Sequence, residues 1–185
     1  SLLDRFAPRC SVLDVGCGNG GFTAYLEQFG YQADGIEIVD SELQLARQRQ
    51  LKAVFHKHDA ALPIAPVVGK QYSACVALEV VEHLFDPDAV LQNLRGCLKD
   101  DGILVLTTPF HGYAKNLLIA LSGRFDQHVD PLWRGGHIKF WSRSTITRLF
   151  NRNGFRLQCF QGVGRMPPLW KSMICIARPT SDQEI

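Results

Sequence analysis

From residue 11 to residue 107, short apolar runs trade places with stretches whose apolar residues recur every three or four positions. That rhythm predicts strand, helix, strand, helix. Residues 11–15 form the first strand and run into Gly16-Cys17-Gly18-Asn19-Gly20-Gly21. Phe22, Leu26 and Phe29 sit at helical spacing in a helix over 22–29, which Gly30 stops. A second strand follows at 32–38, then a helix over 42–50 with Ser41 as its N-cap. Further strands are predicted at 53–56 and 71–78, the latter apolar enough to lie in the middle of a sheet. Pro87 opens a helix running through Leu98, and Asp100-Asp101-Gly102 turns the chain into a strand at 103–107. Such short alternation points to a parallel sheet with helices on both faces.

The rhythm breaks at Pro109. Residues 109–141 read as a lid-like insertion rich in Gly, His and Trp, holding one helix at 114–121. A helix at 144–151 follows, capped by Ser142 or Ser144, and then Asn153-Gly154 turns the chain. Two strands close the sequence, near 155–161 and 171–177. The short loop between them, with Gly162, Gly164 and Pro167-Pro168, makes the pair antiparallel. The polar residues after Pro179 read as a disordered tail. The whole is expected to be one domain over 1–185, and its start almost directly on a strand suggests a preceding segment.

The chemistry begins at the first turn. Glycines at 16, 18 and 20, directly after a strand and before a helix, let a ligand approach the backbone closely. Gly16, Gly18 and Gly21 also fit the GxGxxG spacing of dinucleotide sites, so an NAD-dependent oxidoreductase is one reading. Asp14 argues against it. A pyrophosphate wants only amides and a helix N-terminus, and a carboxylate two residues before the first glycine repels it. A cationic ligand is welcomed instead, and S-adenosylmethionine carries both an ammonium and a sulfonium. Glu37, at the end of the second strand, is placed to accept ribose hydroxyls, with Ile38 against the adenine. Asp59 and the amide of Ala60 follow the third strand and suit the adenine edge. A ligand at this end of the sheet would also meet Leu78 and Glu79. If Glu79-Val80-Val81-Glu82-His83 makes a helical turn, Glu79, Glu82 and His83 share one face. Two carboxylates and an imidazole can then hold a divalent cation or form an acid–base cluster.

These motifs, in this order from Val12 to about Thr108, resemble the class I S-adenosylmethionine-dependent methyltransferases. The EVVEH segment is similar to the EVxEH of the branch that includes ubiquinone-pathway O-methyltransferases. The resemblance implies a Rossmann-like α/β fold, a mostly parallel seven-stranded sheet in the order 3-2-1-4-5-7-6. It implies a cofactor site of Asp14, Gly16, Cys17, Gly18, Glu37, Ile38, Asp59, Ala60, Leu78 and Glu79. Small-RNA-end methyltransferases carry a related ExxEH and a later His as metal ligands. That likeness implies Glu79, Glu82, His83 and His137 as a candidate metal set. A hydroxyl acceptor must lose a proton, and His137, His83 and, behind them, His111 are the candidates to take it. Oxygen of a small molecule is the expected acceptor, S-adenosylhomocysteine the product. A non-catalytic S-adenosylmethionine-binding module is the third reading.

Composition narrows the partners. The formal net charge of +2 and the lack of a basic run speak against long nucleic acids. The six cysteines form no CxxC pair and mostly lie in apolar stretches, as in a reduced, cytoplasmic protein. No apolar run reaches the ~20 residues of a membrane span, and no signal peptide opens the chain. The apolar run 117–121 has three readings: packing on the sheet, lining an acceptor pocket, or touching a membrane surface.

Overall fold

The structure is a computed structural model that describes residues 2–7, 10–130 and 132–180. Its centre is a seven-stranded sheet in the order β3-β2-β1-β4-β5-β7-β6. The strands are β1 (Ser11–Val15), β2 (Gln32–Glu37), β3 (Phe55–Lys57), β4 (Tyr72–Leu78), β5 (Leu98–Pro109), β6 (Phe155–Val163) and β7 (Ser172–Pro179). The first five run parallel; β7 pairs antiparallel with both β5 and β6. The helices are α1 (Leu2–Phe6), α2 (Gly21–Gln28), α3 (Asp40–Gln48), α4 (Ala65–Val68), α5 (Pro87–Cys97), α6 (Tyr113–Leu121) and α7 (Arg143–Arg152).

Alternation along the strands divides the core between the two faces of the sheet. Leu13, Val15, Cys75, Ala77, Leu104 and Leu106 face α5 and α7, where Leu91, Leu94, Ile146 and Phe150 are fully buried. Val12, Ala74, Val76, Ile103 and Val105 face the other way, against Leu26 of α2. With both faces covered, the middle strands are mostly apolar, and Asp14 of β1 stands out as a buried acid among them. Each buried Leu or Ile contributes about 1.5–3 kcal/mol, so this two-sided core is a rigid platform for the loops at the carboxyl ends of the strands.

Several boundaries differ from the sequence expectation. Leu98 belongs to β5, not to the preceding helix, because it pairs with Tyr72. Ile103 then pairs with Ala74, so residues 99–102 bulge opposite Ser73 instead of ending one element and starting another. β2 stops at Glu37 and β3 occupies residues 55–57. The N-cap of α3 is Val39, not Ser41. The Glu37 carboxylate takes the amides of Ile38 and Val39, each at 2.8 Å, and the helix starts directly after them. For α7 the choice between two serines falls on Ser142, which makes a reciprocal capping box with Thr145. Thr180 is held at the end of β7: its amide donates to Gly154 O and its carbonyl accepts from Arg95. The rest of the expected tail, residues 181–185, lies outside the described residues. No helix among the described residues is long and apolar enough to cross a membrane.

Candidate functional site

In this strand order β1 and β4 are neighbours while the chain continues outward from each in opposite directions, which opens a crevice at their carboxyl ends. The β1–α2 turn lies on one side of it. Gly16, Gly18 and Gly20 all adopt left-handed backbone, with φ of 69°, 52° and 74°. Gly16 has no room for a side chain either: a Cβ there would meet Val80 Cγ2 at 2.7 Å. Above Gly18 the space is open, the nearest atom to an added Cβ being Glu42 Oε2 at 3.8 Å. Cys17 is buried, its sulfur against Gly35. The floor is acidic. Asp14 is 2% exposed and accepts a 2.7 Å hydrogen bond from Thr23 Oγ1. Burial pushes its carboxyl up to about 6, and the nearby Glu37 adds to the rise against the Thr23 bond.

Glu37 decides which ligand the turn can take. Its Oε2 accepts the Gly18 amide at 2.9 Å, while Oε1 accepts those of Ile38 and Val39. Asn19 Oδ1 accepts the Gly21 amide at 3.1 Å. The amides that would cradle a pyrophosphate are therefore already engaged, two acids lie below them, and the turn is unsuited to a dinucleotide. It fits S-adenosylmethionine: open space over Gly18, negative charge beneath, and the half-exposed side chain of Ile38 beside Glu37. Arg49, which drew no notice in the sequence, donates to Asn19 O at 2.6 Å and steadies the turn from α3. Across from it, Asp59 makes a tight turn, its Oδ1 accepting the Ala61 amide, and Ala60 packs on the core.

The EVVEH segment does not form the helical turn that would put three side chains on one face. Glu79 takes φ of 54°, costly for a residue with a Cβ, and only Val81–His83 make a short 3₁₀ turn. The Glu79 backbone is held by Thr107, and its carboxylate accepts from Ser172 of β7 at 2.9 Å. Glu82 points inward and is fully buried. Its two carboxylate oxygens, and the hydroxyl of Thr108, make no well-formed hydrogen bond, although Thr108, Glu79 and His137 lie near enough to act on the carboxylate. Burial, with repulsion from Glu79, pushes Glu82 up to about 7. One ligand atom each from Glu82, His83 and His137 lies within 4.8 Å of the others, with His137 Nε2 3.9 Å from Glu82 Oε1. Glu79 stands outside that set, because its carboxylate is drawn toward β7. The turn that carries His137 is fixed by Glu82 itself, whose carbonyl accepts the amides of Ile138 and Lys139. Trp133 packs against both His83 and His137. His137 has its pKa lowered, first by burial and then by His83.

Between β5 and α7 the chain leaves the sheet and returns, Phe110 pairing with Trp141. No residue of α6 is buried, so the run 117–121 does not pack on the sheet. Leu117, Leu118 and Leu121 are exposed. Thr23, Thr107 and Ser172 escaped notice in the sequence. Each is an ordinary hydroxyl whose importance comes from a partner on another strand or loop.

The methyltransferase-domain family model matches residues 1–159. A ubiquinone biosynthesis O-methyltransferase of Chromobacterium violaceum is 28% identical over 173 residues, covering 90% of this chain and 74% of that protein. The human mitochondrial ubiquinone biosynthesis O-methyltransferase is 30% identical over 161 residues, covering 82% of this chain and 43% of that one. Magnesium protoporphyrin IX methyltransferase from Synechocystis, solved with bound S-adenosylhomocysteine, superposes with a TM-score of 0.71 at 20% identity, covering 97% of this chain and 78% of its own. The acidic floor, the engaged amides and these similarities agree, and the chain belongs to the class I S-adenosylmethionine-dependent methyltransferases.

Proposed function

We propose that this enzyme moves the methyl group of S-adenosylmethionine to a hydroxyl oxygen of a small molecule, within one domain over 1–185 whose 109–141 segment covers the acceptor. The observation that carries the reading is Glu82: a fully buried carboxylate that makes no well-formed hydrogen bond, faced by His83 and His137 at the mouth of the crevice. A buried acid left unpaired costs several kcal/mol in general, and such a cost is tolerated where a ligand or cation completes the site. The names of the two O-methyltransferase relatives favour oxygen as the acceptor atom.

Asp14, Gly16, Cys17 and Gly18 would hold the methionine end, Glu37 and Ile38 the ribose and adenine face, and Asp59 and Ala60 the adenine edge. Leu78 and Glu79 would close the site from β4. The sulfonium supplies a methyl already activated for displacement, so the chain's task is alignment. A divalent cation fits the donor set of Glu82, His83 and His137, since one carboxylate and two imidazoles suit borderline metals. Glu79 would lie beside it. Bound there, the cation would lower the pKa of a hydroxyl. His137 and His83 would touch the acceptor oxygen or the cation in either case.

Calorimetric titration with S-adenosylhomocysteine, followed by transfer of labelled methyl to catechol with and without Mn²⁺, tests the reading. Binding with methyl transfer to oxygen is the expected result. A chain that binds NAD in place of S-adenosylhomocysteine, or binds the latter and transfers no methyl to any hydroxyl acceptor, overturns it. Mn²⁺ should raise the melting temperature of the wild type and leave Glu82→Gln unmoved; equal shifts would remove Glu82 from the cation set.

A further inference from the structure

The return of the chain at Phe110–Trp141 leaves a separate half-open cleft of about 220 Å³ beneath α6. Ile119, Phe125, Val129 and Phe140 supply its apolar wall, and His111, Asn116 and His128 its polar groups. We propose that this cleft receives one aromatic ring of the acceptor, and that His111 takes the proton which the reacting hydroxyl gives up. The inference rests on the O-methyl transfer reading and assigns a place and a base to it.

Size supports a ring. A closed apolar cavity of about 150 Å³ holds a benzene molecule, so a half-open cleft of about 220 Å³ has room for a ring whose hydroxyl reaches past its rim. Shape supports it too: the walls offer aromatic edges, and His111 already meets Phe140 edge-on at 4.9 Å between centroids. Position links the cleft to the candidate site. His111 lies directly beyond the end of β5, its amide bonded to Trp141 O at 2.8 Å, and its ring packs on Phe140, which follows the turn that Glu82 O holds through Ile138 and Lys139.

The choice of His111 follows from what the other imidazoles are doing. His83 and His137 face each other and Glu82, and His83 Nδ1 is 3.2 Å from Gly136 O. His111 has Nδ1 donating to Asn116 Oδ1 at 3.3 Å, which leaves the lone pair on Nε2. Burial lowers its pKa, and the charged neighbours that bear on it, Lys115, His137 and His128, are all basic and act in the same direction, against the Asn116 bond. Lys115 is itself tied to Phe110 O at 2.6 Å. The ring is therefore neutral near pH 7 and able to accept. In the step, the O–H bond breaks with its proton going to His111 Nε2, and the oxygen pair forms the bond to the methyl carbon. The carbon–sulfur pair stays on sulfur, leaving S-adenosylhomocysteine, and the imidazolium later returns its proton to water.

The probe is 4-nitrophenol, whose ionised form absorbs visible light, titrated into protein loaded with S-adenosylhomocysteine. The wild type should bind it and ionise it at lower pH than in free solution. Ile119→Trp fills the cleft and should weaken probe binding about tenfold or more. His111→Gln should still bind the probe but no longer favour its ionised form. Both variants should keep the wild-type melting temperature and S-adenosylhomocysteine affinity. Unchanged probe affinity in Ile119→Trp would overturn the ring site, and unchanged ionisation in His111→Gln would overturn the base. A wild type that binds and ionises the probe, yet never methylates catechol, would instead sink the O-methyl transfer reading.

Discussion

Replacing Asp14 by Asn tests two expectations at once, one for folding and one for its proposed part in cofactor binding. The carboxyl is buried, and its pKa rises from the ordinary 3.8 to about 6. At about 1.36 kcal/mol per pKa unit, ionising it in the folded state costs about 3 kcal/mol relative to the unfolded chain. The folded protein holds this proton to higher pH than the unfolded chain does. The cost is thus absent below the unfolded value, grows as pH rises, and is complete above about 6. The amide carries no charge at any pH and keeps an oxygen for Thr23, which now donates at 2.7 Å. It also introduces a buried NH₂ without a partner, at about 1–2 kcal/mol. Asp14→Asn should then be more stable than the wild type by about 1–2 kcal/mol near pH 8 and less stable by about 1 kcal/mol near pH 4. Urea unfolding followed by circular dichroism, repeated across that range, measures the difference. Cofactor binding should move the other way, with S-adenosylmethionine affinity falling about tenfold as the negative floor is lost. A stability difference that stays flat from pH 4 to pH 8 would refute the account of Asp14 as a buried, titrating acid.

Three further outcomes are expected. Gly18→Val fills the open space over the turn at a left-handed position, and should abolish S-adenosylhomocysteine binding by calorimetry; retained affinity would move the cofactor elsewhere. Glu37→Gln keeps an oxygen for Ile38 and Val39 but turns an NH₂ toward the Gly18 amide. It should weaken S-adenosylhomocysteine by about 1–3 kcal/mol, and an unchanged dissociation constant would remove Glu37 from the site. Ser142→Ala removes the capping box of α7 and should cost about 1 kcal/mol in urea unfolding with no change in cofactor affinity; a loss of affinity would mean that α7 helps shape the crevice.

The alternation of strands and helices and the glycine turn were legible because their signals are local, whereas the strand order came with the family resemblance. A parallel α/β alternation and a Gly-x-Gly after a strand are written into consecutive residues, and Asp14 stands two positions from the turn it underlies. What escaped depends on distant partners. Ser172 bonds Glu79 across 93 positions of sequence, through strand pairing that no window reveals. The left-handed backbone of Glu79 arises where Thr107 captures its amide, and it spoils the helical spacing on which a four-ligand cluster was expected. The start of α3 is set by Glu37, an acid that the sequence offers as a ribose acceptor and not as a cap. The run 117–121 reads like core, and composition alone cannot tell a core helix from one that the fold leaves on the surface.

That surface helix separates two kinds of change. With none of its residues buried, α6 draws little on the cohesion of the sheet, so replacements along it leave overall folding largely intact. The β1–α2 turn has no such freedom, since its glycines, acids and amides constrain one another. If this segment covers the acceptor as proposed, a directed library confined to residues 113–121 should yield altered selectivity with few unfolded members.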